Sequence, residues 1–116
     1  MSDFRLRRER IIKRSDVFNE LFESGVRLHS DHILLLFLAS DQCRVGFAVS
    51  QKIKGVARRN RAKRRLREVL RLNQDKLPQK MNIVLVAKPG IERVKFEILD
   101  KEFLSLLRKL VSKAAE

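Results

Sequence analysis

Between Gln51 and Arg67 the chain carries nine lysines and arginines and not one aspartate or glutamate. Such a segment cannot be buried all round, because each unpaired charge taken out of water is heavily penalised. As a helix it also works against itself, since like charges four residues apart, such as Arg61 and Arg65, cost about 0.2–0.5 kcal/mol per pair. Only an apolar stripe can anchor it. At ~100° per residue the helix predicted over Ala57 to Leu72 gathers Ala62, Leu66, Val69, Leu70 and the following Asn73 into one narrow band. Asn60, Arg64, Arg67 and Arg71 line one flank of that band, and Arg58, Arg61 and Arg65 line the other. Arg59 shares the azimuth of the band but lies in the first turn, where its side chain reaches past the sheet toward a groove. Locally, Glu68 alone answers Arg64, Arg65 or Arg71. A helix of this kind is expected to pack by its stripe and to be neutralised by a polyanion.

The rest of the chain sharpens that expectation. The net charge is +13 over 116 residues, and its distribution is uneven. Residues 1 to 14 hold 6 basic and 2 acidic side chains, residues 15 to 50 hold 2 and 5, and residues 68 to 116 hold 10 and 7. The excess therefore sits in the basic helix and in a basic, flexible N-terminal tail, residues 1 to 14. Two polyanions compete, nucleic acid and an anionic membrane. The longest apolar run, Ile33 to Ala39, falls far short of the ~20 residues that span a bilayer. No apolar signal core follows the basic N-terminus. The single cysteine, Cys43, has no partner for a disulfide or a thiolate metal site. One domain spanning residues 1–116, cytoplasmic and without a membrane partner, is the expectation.

Hydrophobic patterning supplies a scaffold. Ser15 or Asp16 is placed to cap a short helix with Val17, Phe18, Leu21 and Phe22 on its apolar face, stopped at Gly25. Ile33 to Leu38 is apolar at every position, as in a strand covered on both faces. Cys43 to Ser50 alternates: Val45, Phe47 and Val49 turn to a core, while Gly46, Ala48 and Ser50 leave room opposite for a close approach. Gly55 begins a turn into the basic helix, which ends before Pro78. A strand follows over Asn82 to Lys88, stopped by Pro89 and Gly90. Phe96, Leu99, Phe103, Leu106, Leu107 and Leu110 then recur with helical spacing. The order α-β-β-α-β-α has a strand-helix-strand unit at its centre, and the expected fold class is an α/β arrangement, an α+β two-layer sandwich.

Plainer readings of the basic run explain less. A solvated face accounts for scattered charges, not for nine cations without a carboxylate. A nuclear-localisation signal accounts for the charge and not for the stripe. A basic region feeding a leucine zipper needs heptads, and Pro78 arrives first. An enzyme needs acid, base or metal groups. The one tight cluster, His29, Asp31 and His32, does not converge, because on an extended segment His29 and Asp31 point one way and His32 the other. Catalytic and metal residues are expected to be absent, and no cofactor is expected on the protein.

The segment Arg44-Val45-Gly46-Phe47-Ala48-Val49-Ser50, followed by Arg59-Asn60-Arg61-Ala62-Lys63-Arg64 and Arg67-Glu68, closely resembles the bacterial ribonuclease P protein family. The likeness extends through Asp16-Val17-Phe18 and Phe22-Glu23-Ser24-Gly25 to Ala87-Lys88-Pro89. It implies a left-handed crossover through the basic helix, against the right-handed norm. It also implies the protein subunit of a tRNA 5′-maturation endoribonuclease, whose catalytic RNA subunit and Mg²⁺ ions carry out the hydrolysis. By resemblance Arg59, Asn60, Arg61, Lys63, Arg64 and Arg67 contact that RNA. The flank residues Arg58 and Arg65 complete the expected RNA-binding set. A cleft between the first helix and the sheet, using Phe18, Phe22, Ser50 and Lys52, takes the single-stranded 5′ leader of precursor tRNA. Phenylalanine faces suit that task, since they stack bases without sequence preference. The chain departs from the family in three places. Gln51-Lys52 stands where two lysines are usual, Lys54 precedes Gly55 where the glycine comes one residue earlier, and Leu36 replaces a strand aromatic while Phe37 points to the other face. A ribosomal or ribosome-assembly protein would share the size, charge and fold type, and a stand-alone ribonuclease would depend on His29 or His32.

Overall fold

The computed structural model describes residues 11 to 115 apart from residue 13. The helices are α1 (Ser15–Ser24), α2 (Val56–Asn73) and α3 (Phe96–Ala114), and the strands are β1 (Val26–His29), β2 (Ile33–Ala39), β3 (Arg44–Val49) and β4 (Met81–Ala87). A single 3-10 turn, Gln74–Lys76, follows α2. The sheet runs β1-β2-β4-β3. Strand β2 pairs antiparallel with both β1 and β4, while β3 and β4 are parallel. The three long helices and the strands over 33–39, 44–49 and 81–87 lie within a residue or two of where patterning puts them.

The order nevertheless corrects the expected α-β-β-α-β-α, because β1 adds a strand. Only Leu28 of its four residues is buried, so Val26 to His29 presents no alternation for sequence reading to detect. Strand β1 is held by register instead, with Val26 opposite Phe37 and Leu28 opposite Leu35. The cap of α1 is a second correction. Arg14 occupies the N-cap without a side-chain cap bond, and Asp16 accepts from the Val17 N–H at 3.0 Å from inside the first turn, where a carboxylate favours the helix dipole. Gly25 ends α1 in extended rather than left-handed backbone.

The basic tail expected over residues 1 to 14 falls mostly outside the described residues, but its end belongs to the fold. Ile11 bridges Val45 in parallel on the outer edge of β3. Ile12 donates its N–H to the Val45 carbonyl at 2.8 Å and is buried. From that edge α1 carries the chain across the sheet to β1 at the opposite edge.

Strand β2 is apolar throughout because both of its faces are covered. Ile33, Leu35 and Phe37 join Val45, Phe47, Ile83 and Leu85 in a large core under α2 and α3. Leu36 and Val84 join Ile12 and Leu21 in a small core under α1. Helix α2 is anchored as its wheel requires, since its buried residues are Ala62, Leu66, Val69, Leu70 and Asn73. Asn73 ends the stripe as a polar tie. Its Nδ2 donates to the Val69 carbonyl at 2.8 Å and to Asp100 Oδ1 at 2.7 Å, fastening α2 to α3. No helix among the described residues is long and apolar enough to cross a membrane.

Candidate nucleic-acid interface

On the α1 side of the sheet the small residues of β3 leave the room their size predicts, and part of it is filled from within. The ring of Phe18 rests on Gly46 so closely that a Cβ at 46 would lie 2.5 Å from the ring edge. Glycine is needed here for contact distance, since any side chain would displace the ring. Beside that seat, Leu34, Val86 and Ala48 form the next row across the paired strands, and all three keep partial exposure. Ser50 follows at the end of β3, four residues from Gly46 and so ~13 Å further at ~3.3 Å per residue. The Lys52 N–H donates to Ser50 Oγ at 3.2 Å, and the Lys52 side chain is exposed. Phe22, one turn beyond Phe18, is 36% exposed, and its carbonyl accepts from Arg27 at 2.7 Å. The arrangement is a shallow strip with an aromatic ring on its floor and a hydroxyl and an ammonium at its end, while Phe22 stands exposed on α1 outside the cluster that packs around Phe18. Leu36 lies fully buried under α1 and Phe37 belongs to the opposite core, so strand β2 offers no aromatic surface to the strip.

The turn from that strip into α2 is closed by Arg59. Its Nη1 donates to the carbonyls of Ser50 at 2.9 Å and Ile53 at 3.0 Å, and its Nη2 to that of Val49 at 3.4 Å. Gly55 stands at the N-cap of α2 with φ 92°, a left-handed value that a Cβ would strain. Ile53 is buried beneath the turn. The guanidinium expected to reach a groove therefore joins the first turn of the helix to the end of the strip, through three backbone oxygens of the protein itself.

The two flanks of α2 differ in kind. Asn60, Arg64 and Arg67 on one, with Lys63 beside them, are exposed. The Arg67 guanidinium lies 5.5 Å from the Phe47 ring centroid, a cation–π contact that orders it at the surface. On the other flank Arg61 is exposed, while Arg58 and Arg65 face the segment between β4 and α3. Arg65 Nη2 donates to the Val94 carbonyl, and Arg58 lies 3.8 Å from Glu92. Glu68 pairs with Arg71 at 3.9 Å. Glu68 thus answers Arg71, one of its three expected cations, and Arg58 finds a different carboxylate, Glu92. Glu92 comes from a distant loop, and no local spacing marks it.

His29, Asp31 and His32 make no metal site, and no three of His, Cys, Asp and Glu are grouped to hold one among the described residues. His32 is instead drawn to α3. Its Nδ1 lies 2.6 Å from Glu102 Oε2, while its N–H at 2.8 Å and Ser30 Oγ at 2.7 Å donate to Oε1. Burial pushes the Glu102 carboxyl up, but the hydrogen bonds from His32 and Ser30 and the nearby His32 charge outweigh it and hold the group below its usual range. This cluster fastens the β1–β2 turn to the scaffold.

Comparison with known proteins agrees with the fold and the motifs. The family profile described as Ribonuclease P matches residues 6–111. A ribonuclease P protein component from Pelotomaculum thermopropionicum is 35% identical over 101 residues, covering 85% of this chain and 90% of the relative. One from Thermotoga maritima is 32% identical over 116 residues, covering 95% and 98%. Among solved structures, the Thermotoga maritima ribonuclease P protein superposes with a TM-score of 0.74 at 28% identity, covering 84% of this chain and 94% of that one. The Staphylococcus aureus protein superposes at 0.71 with 19% identity, over 88% and 94%, a likeness of fold. The chain belongs to the ribonuclease P protein family.

Proposed function

From that membership, we propose that the chain is the protein subunit of a ribonuclease P, assisting endonucleolytic removal of the 5′ leader from precursor tRNA in the cytoplasm. In this reading the exposed cations of α2 lie against the catalytic RNA, and the strip beside α1 receives the single-stranded leader. The RNA subunit, with the Mg²⁺ ions bound there, supplies the hydrolytic chemistry. The protein supplies charge and a stacking surface.

The observation that carries the reading is the seat of Phe18 on Gly46, next to a row of half-exposed small and aliphatic residues that ends in Ser50 and Lys52. Stacking on such a ring is worth ~1–3 kcal/mol per base and is indifferent to sequence, which suits a subunit that meets leaders of many sequences. The α2 cations act through phosphates. About six such contacts give a slope of log affinity against log salt near −4 to −5, so the bare protein binds many RNAs at low salt and gains specificity only in the complex. A ribosomal role shares the charge but is favoured by no observation here.

Reconstitution tests the proposal. The protein is mixed with the RNA subunit at low Mg²⁺, and 5′ cleavage of precursor tRNA is followed. Cleavage well above that of RNA alone is expected. No stimulation would remove the subunit assignment, and cleavage by the RNA-free protein would point to a stand-alone nuclease.

A further inference from the structure

Of the three cations in the loop between β4 and α3, Lys88 donates to the Ser30 carbonyl at 2.7 Å, while Arg93 and Lys95 are used by neither the strip nor the exposed flank of α2. Because β3 and β4 are parallel, α2 and this loop leave the sheet at the same end, and the loop is fastened to α2 twice. Arg65 donates to the Val94 carbonyl between the two cations. Glu92, its side chain only 3% exposed, accepts the Gly90 N–H at 3.1 Å and faces Arg58. Glu92 is the one carboxylate of the loop, and it is turned inward. What faces outward is Arg61, Arg93 and Lys95, all exposed. Among the described residues no ion pair engages the side chains of Arg93 and Lys95. Lys95 is the N-cap residue of α3, at the helix end whose dipole disfavours cations, and Arg93 lies two residues before it. The fold itself therefore gives these charges no stabilisation.

We propose that Arg61, Arg93 and Lys95 form a second surface for RNA backbone, on the opposite side of the α2 stripe from Asn60, Arg64 and Arg67. Its ligand is the phosphodiester backbone of the catalytic RNA, so that α2 is held between two stretches of it. This rests on the reading that α2 docks on that RNA. The Arg65 and Glu92 ties hold the loop in place before binding, so association does not have to order it.

The test measures binding of full-length protein to the transcribed catalytic RNA across a salt series. The variants are Arg93→Ala with Lys95→Ala, Arg64→Ala with Arg67→Ala, and all four together. Losing two phosphate contacts flattens the slope of log affinity against log salt by about 1.4–1.8 units. Each double variant is expected to lose that much and the fourfold variant twice as much. The thermal midpoint of the loop variant stays at the wild-type value, since the ties that hold the loop are untouched. A loop variant with the wild-type slope, beside a flattened Arg64/Arg67 variant, overturns the second surface and leaves α2 docking intact. Wild-type slopes in both overturn the docking reading itself. A lowered midpoint with an unchanged slope assigns the loop cations to stability and also overturns the proposal.

Discussion

On the α2–α3 side of the sheet, Val45, Leu35, Ile83 and Leu85 are sealed from water beneath Leu66, Leu70, Phe103 and Leu106. On the α1 side, Leu36 and Val84 of the sheet join Ile12 and Leu21 in a small buried cluster, while Leu34, Leu38, Val86 and Phe18 remain partly open. The two faces belong to the same strands and share the same register, so the difference lies in what covers them. One has helices of 18 and 19 residues. The other has a ten-residue helix, and the facing residues at the middle of β3 are Gly46 and Ala48. Stability is concentrated on the first face, which leaves the second free to hold apolar surface at the water boundary, where bases can stack.

Substitutions that remove similar bulk from each face test this division. Phe103→Ala is expected to cost about 3–5 kcal/mol in chemical denaturation, the range for a buried aromatic. Phe18→Ala costs about 1–2 kcal/mol, since full burial of such a side chain is worth about 1.5–3 kcal/mol and this ring keeps part of its surface in water. Equal losses would erase the distinction.

Arg59→Lys probes the joint between the faces. A lysine keeps the charge but cannot fork to three carbonyls. The expected loss is about 1–3 kcal/mol, with faster amide exchange over residues 51–55 and none over α3. Wild-type exchange there would return Arg59 to the phosphate contacts. Gly46→Ala tests the seat of the Phe18 ring. The ring must move away from the new methyl, at an expected cost of about 1–3 kcal/mol, and preference for leader-bearing substrate falls with it.

The remaining effect is one of pH. The Glu102 carboxyl is held low in the folded chain, so its contribution is present above the unfolded glutamate pKa of about 4.3 and is lost as pH falls through the folded value. The stability gap between wild type and Glu102→Gln should therefore close on acidification below about pH 4. A gap independent of pH would mean that the carboxylate charge contributes nothing.

How much of this was legible in the sequence follows from the range of the interactions. The stripe of α2 was readable residue by residue because a helix imposes its own period, and Asn73 fell in it despite being polar. The small residues of β3 announced a close approach, but that Phe18 makes it depends on the path of α1 from the β3 edge to β1. Strand β1 carries one buried residue in four and is fixed only by pairing with β2. The partners of Arg59 and Arg65 are backbone carbonyls, which any residue possesses, so no sequence signal marks them. Glu92 and Glu102 reach their partners, Arg58 and His32, through the tertiary fold alone.

Leader binding on the thinly covered face, as proposed, is tested most directly in the assembled enzyme. Holoenzyme reconstituted with wild-type or Phe18→Ala protein is titrated with precursor tRNA and with mature tRNA. Loss of one stacked base predicts roughly 5- to 150-fold weaker binding of the leader-bearing substrate and unchanged binding of mature tRNA. Equal weakening of both, or of neither, would contradict it.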